Sequence, residues 1–233
     1  MKLSAERIEQ LNTEIESVIG QYQDFSANKL AEIFGVNMSA KNAFSTLTHK
    51  IIENSGSSVL GHLLTDEDFR FKTVRLDKYG RLKESMSLPV FKYCDLCSET
   101  WETSELRDYF YQKVFAFIVF RADGKELYLN KIVLWQMPES VLENGVREAW
   151  QRMYDILGAG KIVKYIDDNG RYFTYFPSST ENPYVHVRPH AQNRQDTHPL
   201  PVADKLTGLV QYTKHSFWLN RSYVLKIITR EAN

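Results

Sequence analysis

Thr65-Asp66-Glu67-Asp68-Phe69-Arg70-Phe71-Lys72-Thr73-Val74-Arg75-Leu76-Asp77 is the stretch on which the fold turns. Acids open it. Aromatic and β-branched residues then mix with charges at Phe69, Phe71, Val74 and Leu76, as a half-buried strand requires. Lys78-Tyr79-Gly80-Arg81 supplies the turn that ends it. Arg70 and Lys72, two residues apart, leave such a strand on one face.

Upstream of this strand the period is helical. Ile8, Leu11, Ile15, Val18 and Ile19 share one face behind Ser4 as N-cap. Ser26 opens a short second helix carrying Leu30, Ile33 and Phe34 and closed by Gly35. Ser39 is the expected cap of a third, with Phe44, Leu47, Ile51 and Ile52 as its apolar side. Downstream, residues 113–120 and 127–135 predict a hairpin whose polar connection, residues 121–125, has Asp123-Gly124 at its centre. Pro138-Glu139-Ser140 opens a helix through Val146, Trp150, Met153 and Leu157 that stops at Gly158-Ala159-Gly160. Short strands follow near 162–166, 172–176, 184–187 and 209–212, with a polar loop over 189–201 and a last helix after Ser222. The pattern predicts one α/β domain over 1–233, with a mainly helical N-terminal lobe (1–65) and a mixed-sheet lobe (66–233).

The 233 residues are 43% hydrophobic, 25% charged and 13% aromatic, an ordinary globular composition. No apolar run approaches the roughly 20 residues that span a bilayer, and the N-terminus turns polar at once, so a cytoplasmic protein is expected. The formal net charge is zero but unevenly spread. From Lys161 onward ten basic residues face six acidic ones, and the preceding part carries nineteen against twenty-three. That gives +4 and −4, and a basic C-terminal third suits an anionic partner. The two cysteines, Cys94 and Cys97, are spaced C-x-x-C without the second ligand pair that structural zinc needs. A redox pair wants its first cysteine at a helix N-terminus after a strand. Lys92-Tyr93 leads instead into a Ser/Glu/Thr-rich stretch, so free thiols are expected and no metal site.

Metal-dependent phosphodiester hydrolysis needs carboxylate oxygens for hard divalent cations and a lysine beside the attacking water. One carboxylate ahead of a strand, then Glu-x-Lys on it, is an economical arrangement, because alternation aims Glu and Lys the same way. Residues 65–77 have that outline with Arg70 where the glutamate belongs.

Lys72-Thr73-Val74-Arg75-Leu76-Asp77 followed by Gly80-Arg81-Leu82-Lys83-Glu84-Ser85 resembles the strand and turn of the MutH mismatch-repair endonuclease and the related restriction enzymes that cut at GATC. Thr100-Trp101-Glu102-Thr103-Ser104, Val133-Leu134-Trp135, Val187-Arg188-Pro189-His190-Ala191-Gln192-Asn193 and Phe217-Trp218-Leu219-Asn220-Arg221-Ser222-Tyr223 agree in order. The resemblance covers nearly the whole chain. It implies a restriction-endonuclease-like, PD-(D/E)xK fold: a mixed central sheet flanked by helices, in two lobes with a DNA cleft.

The departures concern catalysis. The family's Glu-x-Lys reads Arg70-Phe71-Lys72, its helix-three glutamate falls near His49 or Lys50, and its second lysine aligns with Tyr109. A guanidinium repels a metal ion. The site made of Asp66, Asp68, Arg70, Lys72 and Tyr109 is therefore expected to be degenerate, with no cofactor of its own. The residues expected to meet DNA are Arg188, His190, Gln192, Asn193 and Arg194 in one segment and Lys214, Trp218, Asn220 and Arg221 in another. Arg, Asn and Gln pair bidentately with base edges, Lys214 and Arg221 suit phosphates, and Trp218 offers an aromatic wall.

A MutH-like domain without acids is similar to the inactive C-terminal half found in one branch of these restriction enzymes. The resemblance implies binding of GATC duplex DNA and an allosteric effect on an active MutH-like half in the same polypeptide, with Mg²⁺ serving that half. Met1 is then a start placed on a piece of a longer protein. Two other readings stay open. One is an active endonuclease with a displaced site around Asp66, Asp68 and Lys72, and the other is a protein-interaction module that no longer touches DNA.

Overall fold

The computed structural model describes residues 3–23, 25–57, 61, 65 and 67–230. Its helices are α1 (Ala5–Gly20), α2 (Ala27–Phe34), α3 (Ala43–Glu53), α4 (Tyr93–Ser98), α5 (Glu105–Gln112), α6 (Arg147–Gly158) and α7 (Arg221–Thr229). The strands are β1 (Phe69–Leu76), β2 (Met86–Val90), β3 (Val114–Asp123), β4 (Glu126–Gln136), β5 (Val163–Ile166), β6 (Tyr172–Thr174), β7 (Val185–Pro189), β8 (Thr197–Pro199), β9 (Gln211–Thr213) and β10 (His215–Leu219). This is a mixed α/β architecture built on small sheets. None of the described helices is long and apolar enough to cross a membrane.

The chain forms two compact units, each discontinuous in sequence. The first is Met1–Lys83, Tyr111–Met137 and Leu225–Asn233, and the second is Glu84–Phe110 and Pro138–Val224. The lobe boundary expected at 65/66 therefore moves. β1 pairs parallel to β3, and a parallel pair needs a long crossover, here one that runs through the second unit.

In the first unit the sheet order is β1-β3-β4, with β3 and β4 antiparallel. Gly124 takes φ +58° at the first position of the two-residue loop Gly124-Lys125, where hairpin turns need a left-handed residue. The strands thus run through Arg121–Asp123, which the sequence assigns to the turn. Val114 to Phe120 are all buried, as expected of a central strand. Ala116, Ile118 and Phe120 join Leu11, Ile15 and Ile19 of α1, Leu30 of α2 and Leu47 and Ile51 of α3 in one core. Ser4 and Ser26 cap as expected, accepting from Arg7 N and Lys29 N. Ser39 does not cap α3, which starts at Ala43 behind Asn42. Asn12 is buried on α1 because its amide exchanges two hydrogen bonds (3.1 and 2.8 Å) with the main chain of Leu134, closing the outer edge of β4.

The second unit carries the antiparallel sheet β2-β10-β7 and the two-stranded pairs β5-β6 and β8-β9. A π-turn over Leu142–Val146 leads into α6. Gly145 lies there under the ring of Tyr184, and a Cβ would fall 2.2 Å from it. α4 begins just after β2, with Cys94 in its first turn and exposed. The ground on which the sequence sets aside a redox pair is thereby corrected. Both thiols are free, and burial, then the neighbouring Cys94, pushes the Cys97 thiol up to about 11.

Candidate nucleic-acid interface

The first unit holds the strand on which the nuclease outline was read. Arg70 and Lys72 are half-buried on β1 opposite Phe115 and Phe117 of β3. The Arg70 guanidinium folds back on its own strand start, donating to Glu67 O (2.6 Å) and Phe69 O (3.0 Å). Burial, then the Arg70 charge, holds the Lys72 ammonium below the usual lysine range. Asp68 pairs with Lys113 Nζ at 3.1 Å. Asp66 lies outside the described residues. On α3, His49 packs against Phe71, which leaves β1 on the side opposite Arg70 and Lys72, and Lys50 pairs with Glu53 at 2.9 Å. Tyr109 belongs to the second unit, half-buried in a pocket with Leu106, Trp150 and Phe217.

The described residues of this set do not fit a divalent metal. A hard cation asks for several convergent oxygens, whereas here one carboxylate is committed to an ammonium beside a guanidinium. Among the described residues no three His, Cys, Asp or Glu side chains converge on a metal-sized position.

The second unit brings three of the expected DNA-facing residues onto one face of a sheet. His186 and Arg188 leave β7 on the face shared by Ser216 and Trp218 of β10, because the register pairs His186 with Trp218 and Arg188 with Ser216, and His190, just beyond the end of β7, contacts the same two residues. Val185, Val187, Phe217 and Leu219 take the other face and are buried. The Arg188 guanidinium lies 5.2 Å above the Trp218 ring, and the His190 ring sits 5.6 Å from the same ring. His190 Nδ1 and Ser216 Oγ are 2.9 Å apart, which fixes the imidazole. Arg188 and His190 are exposed and Trp218 half-buried, its Nε1 lacking a hydrogen-bond partner. The result is a guanidinium fork stacked on an aromatic platform.

Other expected contacts are placed differently. Asn220 is 2% exposed: its Oδ1 bonds His186 Nδ1 and its Nδ2 donates to Asn182 O (2.6 Å), so it cannot reach DNA. It is a corrected assignment, and the cause is a buried polar network that must be satisfied internally. Burial, and after it the neighbouring Arg188 charge, lowers the His186 pKa, against the hydrogen bond with Asn220. Lys214 bonds Asp196 at 2.5 Å and ties the 190–196 loop to β10, so its charge is already compensated. Asn193 Oδ1 accepts from Gln195 N (2.9 Å) and Asp196 N (3.1 Å), shaping the same loop. Gln192, Asn193, Arg194 and Arg221 are exposed. Ser216, which orients His190, is a positioning residue the sequence did not single out.

No protein-family profile matches the chain. The type II restriction enzyme Sau3AI of Staphylococcus aureus is 28% identical to it over 237 residues. The chain is related to a restriction endonuclease. The match covers 88% of this chain and 48% of Sau3AI, so the chain spans about half the length of the curated relative it matches.

Proposed function

We propose that this chain is a MutH-like, restriction-endonuclease-like domain that binds duplex DNA at GATC, has lost cleavage, and acts as allosteric effector of an active nuclease half in a type II restriction enzyme. The observation that carries the reading is the Arg188 fork, exposed and held over Trp218 beside His190. A bidentate arginine on guanine O6 and N7 is the commonest specific contact in the major groove. Arg70 in place of a metal ligand and Asp68 committed to Lys113 support loss of cutting. Mg²⁺ then serves the active half. Effector action means a coupling free energy between two DNA sites, which a two-copy enzyme obtains by clamping or looping DNA.

Gel-shift titration of the chain on GATC and scrambled duplexes over a salt series tests this. Tighter binding to GATC, with a loss of about 1–3 kcal/mol and of sequence preference in Arg188→Ala, is expected. Equal binding to both duplexes, or none, refutes the reading. So does Mg²⁺-dependent cutting by the isolated chain that disappears in Asp68→Ala.

A further inference from the structure

A groove in the second unit is unclaimed by the surface on β7 and β10. It is a shallow, solvent-open depression of about 670 Å³ between the end of α6, β5 and the segment around Lys205. Arg152, Lys161, Lys164 and Lys205 line it, with Asp155 as the opposing exposed acid and Tyr175 as an aromatic wall. None of the lining residues is on β7 or β10.

The basic character is built in. Asp204, which sequence places next to Lys205, is 1% exposed and spends its carboxylate on Ile162 N (2.8 Å), Val163 N (3.0 Å), Thr207 N (3.0 Å) and Thr207 Oγ1 (2.7 Å). It therefore organises the lysines without neutralising them. Lys205 N donates to Gly160 O (2.8 Å), and Gly160, at φ +60°, admits the loop because a Cβ would meet Ala203 O at 2.6 Å. Lys161 and Lys205 are thus fixed on one rim, and none of Lys161, Lys164 and Lys205 forms an ion pair among the described residues. Arg152 is different, being tied to Glu181 and to Tyr175 O.

The neighbouring hairpin adds exposed aromatics with cations beside them. Tyr165 and Phe173 stack at 4.5 Å, Arg171 sits 5.3 Å over Phe173, and Lys164 5.8 Å over Tyr175. Tyr165 is 47% and Tyr175 40% exposed. Basic side chains held beside partly exposed aromatic rings suit a nucleic-acid backbone. A discrete small anion is less well served. The C-terminal end of α6 turns its partial negative charge toward the groove, and the lysines are spread along it as point charges.

We propose that Lys161, Lys164 and Lys205, with Tyr175 at the wall, hold the sugar-phosphate backbone of duplex DNA flanking the site read from β7 and β10. This rests on the DNA-binding reading above. Such contacts position the duplex without reading it and strengthen binding through counterion release.

The test compares Lys161→Gln/Lys164→Gln/Lys205→Gln with a control triple of equal charge change, Lys29→Gln/Lys41→Gln/Lys125→Gln. Fluorescence anisotropy on a 30-base-pair GATC duplex is followed over a salt series. The groove triple is expected to bind roughly tenfold or more weakly, with a salt slope shallower by about 2–3, for GATC and scrambled duplexes alike. The control stays near the native protein. Equal behaviour of the two triples overturns the proposal. If the native chain binds no duplex at all, the functional reading above fails and, with it, DNA as the ligand. Elution from immobilised heparin then separates the two failures. Earlier elution of the groove triple than of the control keeps the groove as a polyanion site, and identical elution removes that as well.

Discussion

Replacing Asp204 with alanine tests the internal frame on which the basic groove depends. Its carboxylate accepts from three main-chain N–H groups, two of them, those of Ile162 and Val163, on buried residues. Alanine leaves these donors without an acceptor, at about 1–3 kcal/mol each. The Thr207 hydroxyl and N–H lose a partner too, but Thr207 is half-buried and water replaces part of that bond. The expected loss is about 3–5 kcal/mol. Asp204→Asn keeps the shape and one acceptor oxygen while turning an NH₂ toward donors, so about half that loss is expected. Burial alone would raise the Asp204 pKa, yet the hydrogen bonds from Thr207, Val163 and Ile162 outweigh it and hold it below its ordinary value. A depressed carboxyl pKa stabilises fully above the unfolded value and loses that contribution as pH falls through the folded one. The gap between native protein and Asp204→Ala should therefore be constant near neutrality and narrow below about pH 4. Urea unfolding followed by tryptophan fluorescence measures both, with the exposed Asp155→Ala as reference. An Asp204→Ala midpoint equal to that of Asp155→Ala would refute the reasoning.

Asn220→Ala should lose about 2–4 kcal/mol by stranding His186 and Asn182 O, while its folded fraction keeps its affinity for duplex DNA; thermal melts with anisotropy check both. Gly145→Ala forces a Cβ against the Tyr184 ring and should cost about 1–3 kcal/mol in the same melts. Burial pushes the His215 pKa down to about 4. The unfolded chain binds that proton first, so stability should fall by about 2–3 kcal/mol as pH drops from roughly 6.5 toward 4. Denaturant titrations at half-unit pH steps should find this slope flattened in His215→Phe, which keeps a ring among Tyr93, Phe176 and Tyr212.

Local pattern carried most of the elements. The β3–β4 hairpin, α1 and α2 follow from apolar period and turn chemistry, and Arg70 and Lys72 share a face by strand alternation alone. β10 is not marked by alternation, since His215, Ser216, Phe217 and Leu219 are all buried and only Trp218 is half-buried. Two lobes are expected from the sequence, but not that each is discontinuous, because a parallel β1–β3 pair lets the chain leave one unit and return, and no compositional break marks the crossing. In the candidate site, Arg188 and Trp218 were legible by residue type. Asn220 was misplaced because its partners, His186 and Asn182, are 34 and 38 residues away, and polar burial depends on such distant partners. The pairing of Lys214 with Asp196 is equally out of reach of local pattern, since Asp196 lies across a loop whose shape sequence does not dictate.

The same internal pairing explains how a chain of zero net charge offers a basic surface. In the C-terminal third, Glu181 is held by Arg152 and Ser178, Asp196 by Lys214 and Gln192 N, and Asp204 by main-chain donors and Thr207. Asp167 caps its own turn through Asn169 N and Arg171 N. Four of the acids there therefore act inside the fold, and among the described residues Lys214 pairs with one of them while Arg230 pairs with Glu9 and Glu16 of α1. Lys161, Lys164, Lys205, Arg188, Arg194 and Arg221 are left facing solvent. Under the proposed function these exposed cations are the ones a duplex would meet, and the steepness of the salt dependence measures how many it engages.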